Sequence, residues 1–353
     1  MRELLNATNP RLFPHTAPAG GDTHGKRNCN RRTGVPVDMG QMVFVTSFNV
    51  ITAMLWGNSL VAEELERIRV EFREVVIGIV DLLGVTNVSD IFPILERMDL
   101  QGVQRKMKQH KEKLDGLLST VIDRRERTVN TSGAQKAQDF LQNIIVGGID
   151  TTSTTIEWAM AEMIDKPEKQ SEKHRKEELD SVVGKEKIVD LITSTKIALS
   201  GGIGERSTPF TSTNPTLLLP RYPTATCNIG GYTIPKGTKV FINVWSIHRD
   251  PGCLGKPVGI QARKVSSRNG QMHYYGNNFN FIPFGSGRRI CVGIPLVEKM
   301  SLHILATMLH CFDWSLPDGM KLDLVEKFGI VLKKEKQLVA IPTARPSCAK
   351  LGK

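Results

Sequence analysis

The sequence contains few cysteines, and none of them belongs to a C-x-x-C pair. The chain has 353 residues and six cysteines, which do not show the regular spacing of a small secreted protein held by disulfides. This distribution argues against a disulfide framework and a zinc site, and it favours a reducing compartment. The cysteines are Cys29, Cys227, Cys253, Cys291, Cys311 and Cys348.

Long apolar runs are also missing. Residues 1–36 are rich in Asn, Arg, Gly, Pro and Thr, and they contain no apolar core of signal-peptide length. The most apolar early stretch, residues 43–56, is too short and too polar to span a bilayer. The sequence therefore predicts a chain without a membrane anchor.

The chain is basic, but it lacks a tract in which basic and aromatic residues alternate. Its formal net charge is +11, and Lys and Arg are spread along the whole sequence. A nucleic-acid-binding protein would need such a tract for base stacking, and its binding would weaken strongly with salt. We therefore expect no nucleic-acid partner.

Apolar spacing predicts a mainly helical protein with a small β region, an α+β arrangement. Residues 58–83 and 101–124 repeat apolar side chains on one helical face. A third helix is predicted from about Phe140 to Ile164, before a proline, and a fourth over residues 294–312.

Two further segments have the composition of strands. In residues 227–247, Tyr, Thr, Ile, Val and Phe surround Pro-Lys-Gly, which predicts a hairpin around those three residues. Residues 325–342 alternate apolar and basic side chains, as short strands do. No internal repeat is visible.

One cysteine lies in the segment FIPFGSGRRICVG, surrounded by glycines and arginines. Phe284, Gly287, Arg289, Cys291 and Gly293 fit the pattern F-x-x-G-x-R-x-C-x-G. Glycines let the backbone turn tightly and let a flat macrocycle approach. N–H groups at the start of the following helix favour a thiolate over a thiol, and Arg289 can pair with a carboxylate of a bound group. The pattern predicts a sulfur ligand for a metal rather than a buried structural thiol.

A second motif, VGGIDTTSTTIEW at residues 146–158, lies within the third predicted helix. Glycine and β-branched residues weaken helices, and Ser and Thr side chains that bond to the preceding turn can bend or open them. A polar helix face is the alternative explanation for this composition.

Both motifs resemble those of the cytochrome P-450 family. The cysteine segment resembles the haem-thiolate signature, in which a cysteinate ligates haem iron and pushes electron density toward O–O cleavage. Residues 146–158 resemble the oxygen-activation helix, G-G-x-D-T-T. This resemblance implies that Asp150 and Thr151 relay protons to dioxygen at the haem, and that Gly147 and Gly148 leave room there for oxygen and substrate.

The resemblance covers about residues 34–347 and is similar to plant microsomal hydroxylases of terpenoids and flavonoids. It implies a cytochrome P-450-like fold that is incomplete in this chain. Residues 217–251 resemble plant members closely, which implies that Arg221 reaches a haem propionate. Residues 1–33 match nothing assignable and are expected to be disordered, and residues 348–353 form a tail.

By resemblance, the protein is a haem-dependent monooxygenase that inserts one oxygen atom from O₂ into a small lipophilic, terpenoid- or flavonoid-like substrate. Haem b is the implied cofactor, with Cys291 as the axial ligand of its iron. Phe284, Gly287 and Gly293 complete the haem-binding loop, and Arg289 holds a propionate. NADPH supplies electrons indirectly through an NADPH–cytochrome reductase, whose acidic surface would suit the basic chain.

The implied location is the cytosolic face of the endoplasmic reticulum membrane. Without the family's anchor, this chain is instead expected in the cytosol. The proline-rich hinge and the early helices that complete the haem pocket are also expected to be absent, and residues 139–146 are expected to join segments that are separate in the family.

The chain departs from the family where an E-x-x-R helix and a P-E-R-F segment should brace the haem core. Residues 196–217 and 251–265 stand in these places and contain neither motif. A one-base frame shift permits KLPYLEALVKEALRLHPQTPL for the first segment and RDVWGNPLEFKPERF for the second, which restores both motifs. We therefore hypothesise two out-of-frame islands.

The alternative hypothesis is a non-catalytic, haem-deficient product of a pseudogene. Losing a bracing helix and its Arg–carboxylate network should cost more than the roughly 5–15 kcal/mol that stabilises a typical domain. A damaged haem core is therefore expected for the chain as written.

Overall fold

The computed structural model describes residues 34–56, 62–126, 134–165, 180–181, 220–250 and 274–345. The predictions for residues 1–33, 196–217, 251–265 and 348–353 lie outside these residues.

Helices make up most of the described chain, as the sequence predicts. The predicted helices over residues 58–83, 101–124 and 294–312 are confirmed within a few residues wherever they are described. The third begins at Ala134, six residues before the predicted Phe140. In chain order the helices are α1 (Met39–Trp56), α2 (Ala62–Leu83), α3 (Val88–Ile91), α4 (Val103–Glu126), α5 (Ala134–Asp165), α6 (Val244–Ile247) and α7 (Ile294–Cys311), with 3-10 turns at Pro93–Met98 and Gly287–Arg289.

The core forms where α5 contacts α1, α2, α4 and α7. Ile145, Ile149, Ile156 and Met160 are fully buried along α5, at the spacing of one helical face. The rings of Phe48 on α1 and Phe72 on α2 lie 5.4 Å apart within the same cluster. Helix α5 is therefore the central element on which the other long helices pack.

None of the described helices is long and apolar enough to cross a membrane.

The β region consists of one three-stranded sheet and two short hairpins. The three-stranded sheet has the order β1–β7–β4 and is antiparallel, with Val37 opposite Ala340 and Phe312 opposite Ala344. Strands β2 and β3 form one hairpin, and β5 and β6 form the other. The strands are β1 (Val37–Asp38), β2 (Cys227–Ile229), β3 (Tyr232–Ile234), β4 (Phe312–Ser315), β5 (Glu326–Lys327), β6 (Lys333–Lys334) and β7 (Val339–Ala344).

The β2–β3 hairpin is present, but its turn is not at the predicted Pro-Lys-Gly. The chain reverses at Gly230 and Gly231, with φ angles of 58° and 85°. A two-residue hairpin turn of this kind needs positive φ at both positions, and glycine adopts it without strain. Pro235 instead begins a separate turn, in which its carbonyl accepts the N–H of Thr238 at 3.2 Å.

Candidate functional site

The cysteine segment forms a tight loop that leads directly into α7. Gly285 and Gly287 have φ angles of 75° and 69°, in the left-handed region that glycine tolerates. Residues Gly287–Arg289 make a 3-10 turn, and the N–H of Cys291 donates to the carbonyl of Phe284 at 3.0 Å. The tight turn predicted from the glycine pattern is confirmed.

The Cys291 thiol is free and lies at the start of α7. The N–H of Gly293 donates to its sulfur at 3.4 Å, so the predicted donor is in place. Although Cys291 is exposed as a residue, enough protein surrounds its sulfur for burial to raise the pKa of the thiol, more than the N–H groups of Gly293 and Ile294 lower it. The N–H groups at the helix start therefore favour the thiolate, as expected, but burial outweighs their effect in the chain without a bound metal.

Phe284 is held in the loop by two tyrosines and α7. The Tyr274 ring lies 5.8 Å from the Phe284 ring, and its hydroxyl donates to the Glu298 carboxylate on α7. Tyr275 stacks on Tyr274 and donates to the same oxygen at 2.7 Å. Burial raises the pKa of Tyr275 to about 12, so it stays a donor at neutral pH. The sequence motif did not reveal this brace, since Tyr274 and Tyr275 precede it.

The hydroxyl side chains of the second motif bond back to the preceding turn of α5. Thr151 donates to the Gly147 carbonyl at 2.6 Å, and Thr152 donates to that of Gly148 at 2.6 Å. Ser153 and Thr155 do the same within the motif. This bonding confirms the prediction, yet α5 continues without a break through the motif.

The two glycines of this motif face different surroundings. A Cβ on Gly147 would meet nothing within 4 Å, in agreement with the predicted open space. A Cβ on Gly148 would lie 3.0 Å from Cδ1 of Ile51 on α1. Gly148 therefore lets α1 pack closely against α5, and the space predicted beside it is filled by Ile51.

Asp150 is buried and forms an ion pair with a lysine from the far end of the chain. Nζ of Lys333 on β6 lies 3.1 Å from an Asp150 carboxylate oxygen and 3.4 Å from Asp81 on α2. The other oxygen of Asp81 lies 3.0 Å from Nζ of Lys327, which is half exposed. Burial raises the pKa of Asp150, and Lys333 offsets this effect only in part. A continuous series of ion pairs thus connects the buried Asp150 to the surface.

The two arginines expected to bind propionates lie in different settings. Arg289 is exposed and has no ion-pair partner within the part of the chain that is described. Arg221 pairs its backbone with Val240 through two hydrogen bonds of 2.9 Å. Their approach to a bound group stays a prediction.

The elements that carry the two motifs touch each other. Helix α5 contains Asp150 and Thr151, and it contacts α7, which begins three residues after Cys291. The fold therefore places the cysteine loop and the polar segment of α5 on adjoining elements.

Comparison with known proteins decides the family. The sequence profile described as "Cytochrome P450" (here P-450) matches residues 24–145 and 141–341. The chain belongs to the cytochrome P-450 family. Its likeness to a zebrafish cytochrome P-450 solved with progesterone has a TM-score of 0.64 at 22% identity, covering 89% of this chain and 73% of the other. This likeness supports the predicted P-450-like α+β fold.

Curated relatives of this P-450 are plant enzymes. Flavonoid 3'-monooxygenase of Petunia hybrida is 31% identical, over 88% of this chain and 66% of the relative. Flavonoid 3'-monooxygenase of Crocosmia x crocosmiiflora is 33% identical, over 91% of this chain and 68% of the relative. Ferruginol synthase 1 of Rosmarinus officinalis is 31% identical, over 90% and 68%. The chain thus spans about two thirds of the length of these P-450s.

Membership of the P-450 family implies haem as the cofactor, and the cysteine loop fits this group. Cys291 offers one free thiol, which would serve as the sulfur ligand that haem iron takes from this family of loops. A Cβ on Gly287 would meet nothing within 4 Å, so the loop surface is open there. The exposed Arg289 guanidinium is of the charge that a propionate requires.

Proposed function

We propose that this P-450 is a haem-thiolate monooxygenase that inserts one oxygen atom from O₂ into a small lipophilic substrate. The observation that carries the proposal is the cysteine loop, which presents the free Cys291 thiol at the start of α7 with Gly293 donating to its sulfur. The names of the plant relatives, which include flavonoid hydroxylases and ferruginol synthase, support a flavonoid- or terpenoid-like substrate.

The cysteine loop would bind haem through several residues with separate tasks. Cys291 would ligate the iron, while Arg289 and Arg221 would pair with the propionates. Phe284, Gly287 and Gly293 would shape the surface on which the macrocycle lies. Haem, when bound, supplies the redox chemistry that activates oxygen.

Asp150 and Thr151 would manage protons on α5. The Thr151 hydroxyl donates to the Gly147 carbonyl, so it already has an acceptor for its proton and leaves its lone pairs open to accept another. The raised pKa of Asp150 brings its carboxyl closer to proton exchange near neutral pH, with Lys333 as the adjacent cation. A Cβ on Gly147 would meet nothing within 4 Å, so the surface of α5 is open one turn before Thr151.

Electrons would come from NADPH through a reductase that docks on the basic surface, at the cytosolic face of the endoplasmic reticulum. The net charge of +11 supports attraction to an acidic partner. Because the chain spans about two thirds of its relatives, both the reductase and this location are part of the proposal.

The alternative is a non-catalytic product that does not retain haem. It is favoured by the missing E-x-x-R and P-E-R-F motifs in residues 196–217 and 251–265. The two matches to the family profile overlap at residues 141–145, inside α5. This overlap supports the hypothesis that residues 139–146 join segments that are separate in the family.

The reduced carbon-monoxide difference spectrum of the full chain, supplied with haem, separates these two functions. A thiolate-type Soret band is expected if Cys291 binds iron in a folded pocket, and Cys291→Ser should abolish it. Cys311→Ser is the matched control, because Cys311 is buried away from the loop at the end of α7. A histidine-type or neutral-thiol band, or none, would contradict the monooxygenase and favour the alternative.

A further inference from the structure

A histidine outside both motifs contacts the segment that leads into the cysteine loop. His248 directly follows α6, and its Nε2 accepts the backbone N–H of Ile282 at 2.8 Å. Its ring lies 5.1 Å from the ring of Phe281. Phe281 and Ile282 are only 2% and 4% exposed, so this hydrogen bond is largely shielded from water.

A short series of hydrogen bonds connects this contact to Cys291. The carbonyl of Ile282 accepts the N–H of Gly285 at 3.0 Å. The carbonyl of Phe284, one residue earlier, accepts the N–H of Cys291 at 3.0 Å. His248 therefore fixes the first residues of the loop whose last residues hold the thiol.

The residues on either side of His248 make contacts of their own. The guanidinium of Arg249 lies 4.4 Å from the Trp245 ring on α6 and pairs with Glu326 on β5 at 2.7 Å. The side chain of Asn243 caps α6 by accepting the N–H of Ser246 at 2.9 Å. These contacts hold the backbone on both sides of His248.

The hydrogen bond requires a neutral imidazole. Because Nε2 accepts, the proton of the ring lies on Nδ1, which is buried without a partner among the described residues. Burial, together with the nearby Arg249 cation, lowers the pKa of His248 to about 4. Arg249, already paired with Glu326, is the charged group that acts on the ring from the described elements around it.

We infer that His248 is a positioning residue for Cys291. The imidazole of His248 holds the start of the cysteine loop, so that the Cys291 sulfur lies where it can ligate the haem iron. The part of this inference that concerns haem rests on the proposed function. The part that concerns the loop does not, since the hydrogen bond exists in the chain alone.

Hydrogen exchange of the full chain without haem tests the loop directly. In His248→Leu, which removes the acceptor, the Ile282 amide should exchange at least tenfold faster than in the original chain. His248→Gln can present a carbonyl oxygen near the position of Nε2 and should restore most of the protection. His110→Leu is the matched control, because His110 packs over Gly78 between α2 and α4 and should leave the Ile282 amide unchanged.

An unchanged Ile282 amide in His248→Leu would overturn the inference, and so would a Gln variant that exchanges as fast as the Leu variant. A Leu variant that does not fold leaves the decision to the Gln variant and to acid titration of the original chain. Protection of Ile282 should then fall over the pH range in which the His248 imidazole takes up its second proton, and protection that persists after this protonation overturns the inference.

Added haem provides the second readout. The fraction of thiolate-type spectrum should fall several-fold in His248→Leu and recover in His248→Gln. If the original chain shows no thiolate-type band while the exchange pattern holds, the proposed function fails and the loop contact stands. If the band forms equally in all variants and exchange does not change, the inference about His248 fails alone.

Discussion

Buried carboxylates on α5 are partnered by the strands at the end of the chain. Asp150 pairs with Lys333, and Glu157 accepts the N–H of Leu338 at 2.8 Å. Burial raises the pKa of both carboxyls. For each carboxylate, one main partner offsets part of the free-energy cost of desolvation. Removing such a partner should cost more than the pair itself contributes, because the remaining charge stays buried.

We expect Lys333→Met to destabilise the chain by about 3–5 kcal/mol at neutral pH, since it leaves Asp150 buried without its cation. The pKa of Asp150 would then rise further. A carboxyl whose pKa is higher in the folded chain than in the unfolded chain favours folding less and less as the pH rises from the unfolded pKa to the folded one. The loss of stability in Lys333→Met should therefore be smallest in acid and grow toward neutral pH. Urea unfolding at several pH values measures this difference.

Lys336→Met is the control for this experiment. Lys336 pairs with Asp323 at 3.2 Å, but its side chain is 77% exposed. An exposed ion pair contributes at most about 1 kcal/mol, so this variant should stay close to the original chain at every pH. Equal losses of unfolding free energy in the two lysine variants would show that the buried pair with Asp150 contributes no more to stability than an exposed ion pair.

At the scale of elements, α5 is both the packing centre and the carrier of a polar segment. Six hydroxyl and carboxyl groups in a row, over residues 150–155, would disrupt a solvated helix. Here the hydroxyls of Thr151, Thr152, Ser153 and Thr155 each donate to a backbone carbonyl of α5. Gly148 admits α1, while Gly147 leaves a surface open. The same helix can therefore serve the core on one side and a ligand on another.

The two glycines of α5 should respond differently to alanine. Gly147→Ala should stabilise the chain without haem by up to about 1 kcal/mol, because alanine favours the helix and its Cβ meets no atom. On the proposed function it should also weaken carbon-monoxide binding, since the methyl group occupies the open space. Gly148→Ala should gain less stability or lose some, because Ile51 must move. Thermal unfolding and the carbon-monoxide spectrum measure the two effects, and the reverse order would contradict the assigned faces.

Sequence periodicity predicted most of the elements but not their contacts. The start of α5 was missed because residues 134–139 favour helix yet lack an apolar face. Helix α1 was not predicted, since residues 43–56 mix apolar and polar side chains without a clear helical periodicity. The cysteine loop could be predicted because its chemistry is local. The contacts of Asp150 with Lys333 and of His248 with Ile282 could not, because they join distant segments.

At the scale of the whole molecule, the frame-shift hypothesis makes a prediction of its own. Replacing residues 196–217 and 251–265 with the shifted-frame segments should restore the E-x-x-R and P-E-R-F motifs together. We expect the restored chain to melt at a higher temperature and to bind haem in a larger thiolate-type fraction. Replacing either segment alone should help less, because the two motifs brace each other. No gain from the double replacement would contradict the hypothesis, as would coding nucleotides that do not give these segments in the shifted frame.

The three-stranded sheet has a consequence for how the protein is made. Strand β7 lies between β1 and β4, and it pairs Ala340 with Val37 near the beginning of the described chain. The carbonyl of Leu338 also accepts the N–H of Met39, the first residue of α1. A ribosome must therefore release nearly the entire chain before this sheet can close, and closing so long a loop is slow. A message cut short before β7 would yield a chain in which β1 and the start of α1 lack the strand that they pair with.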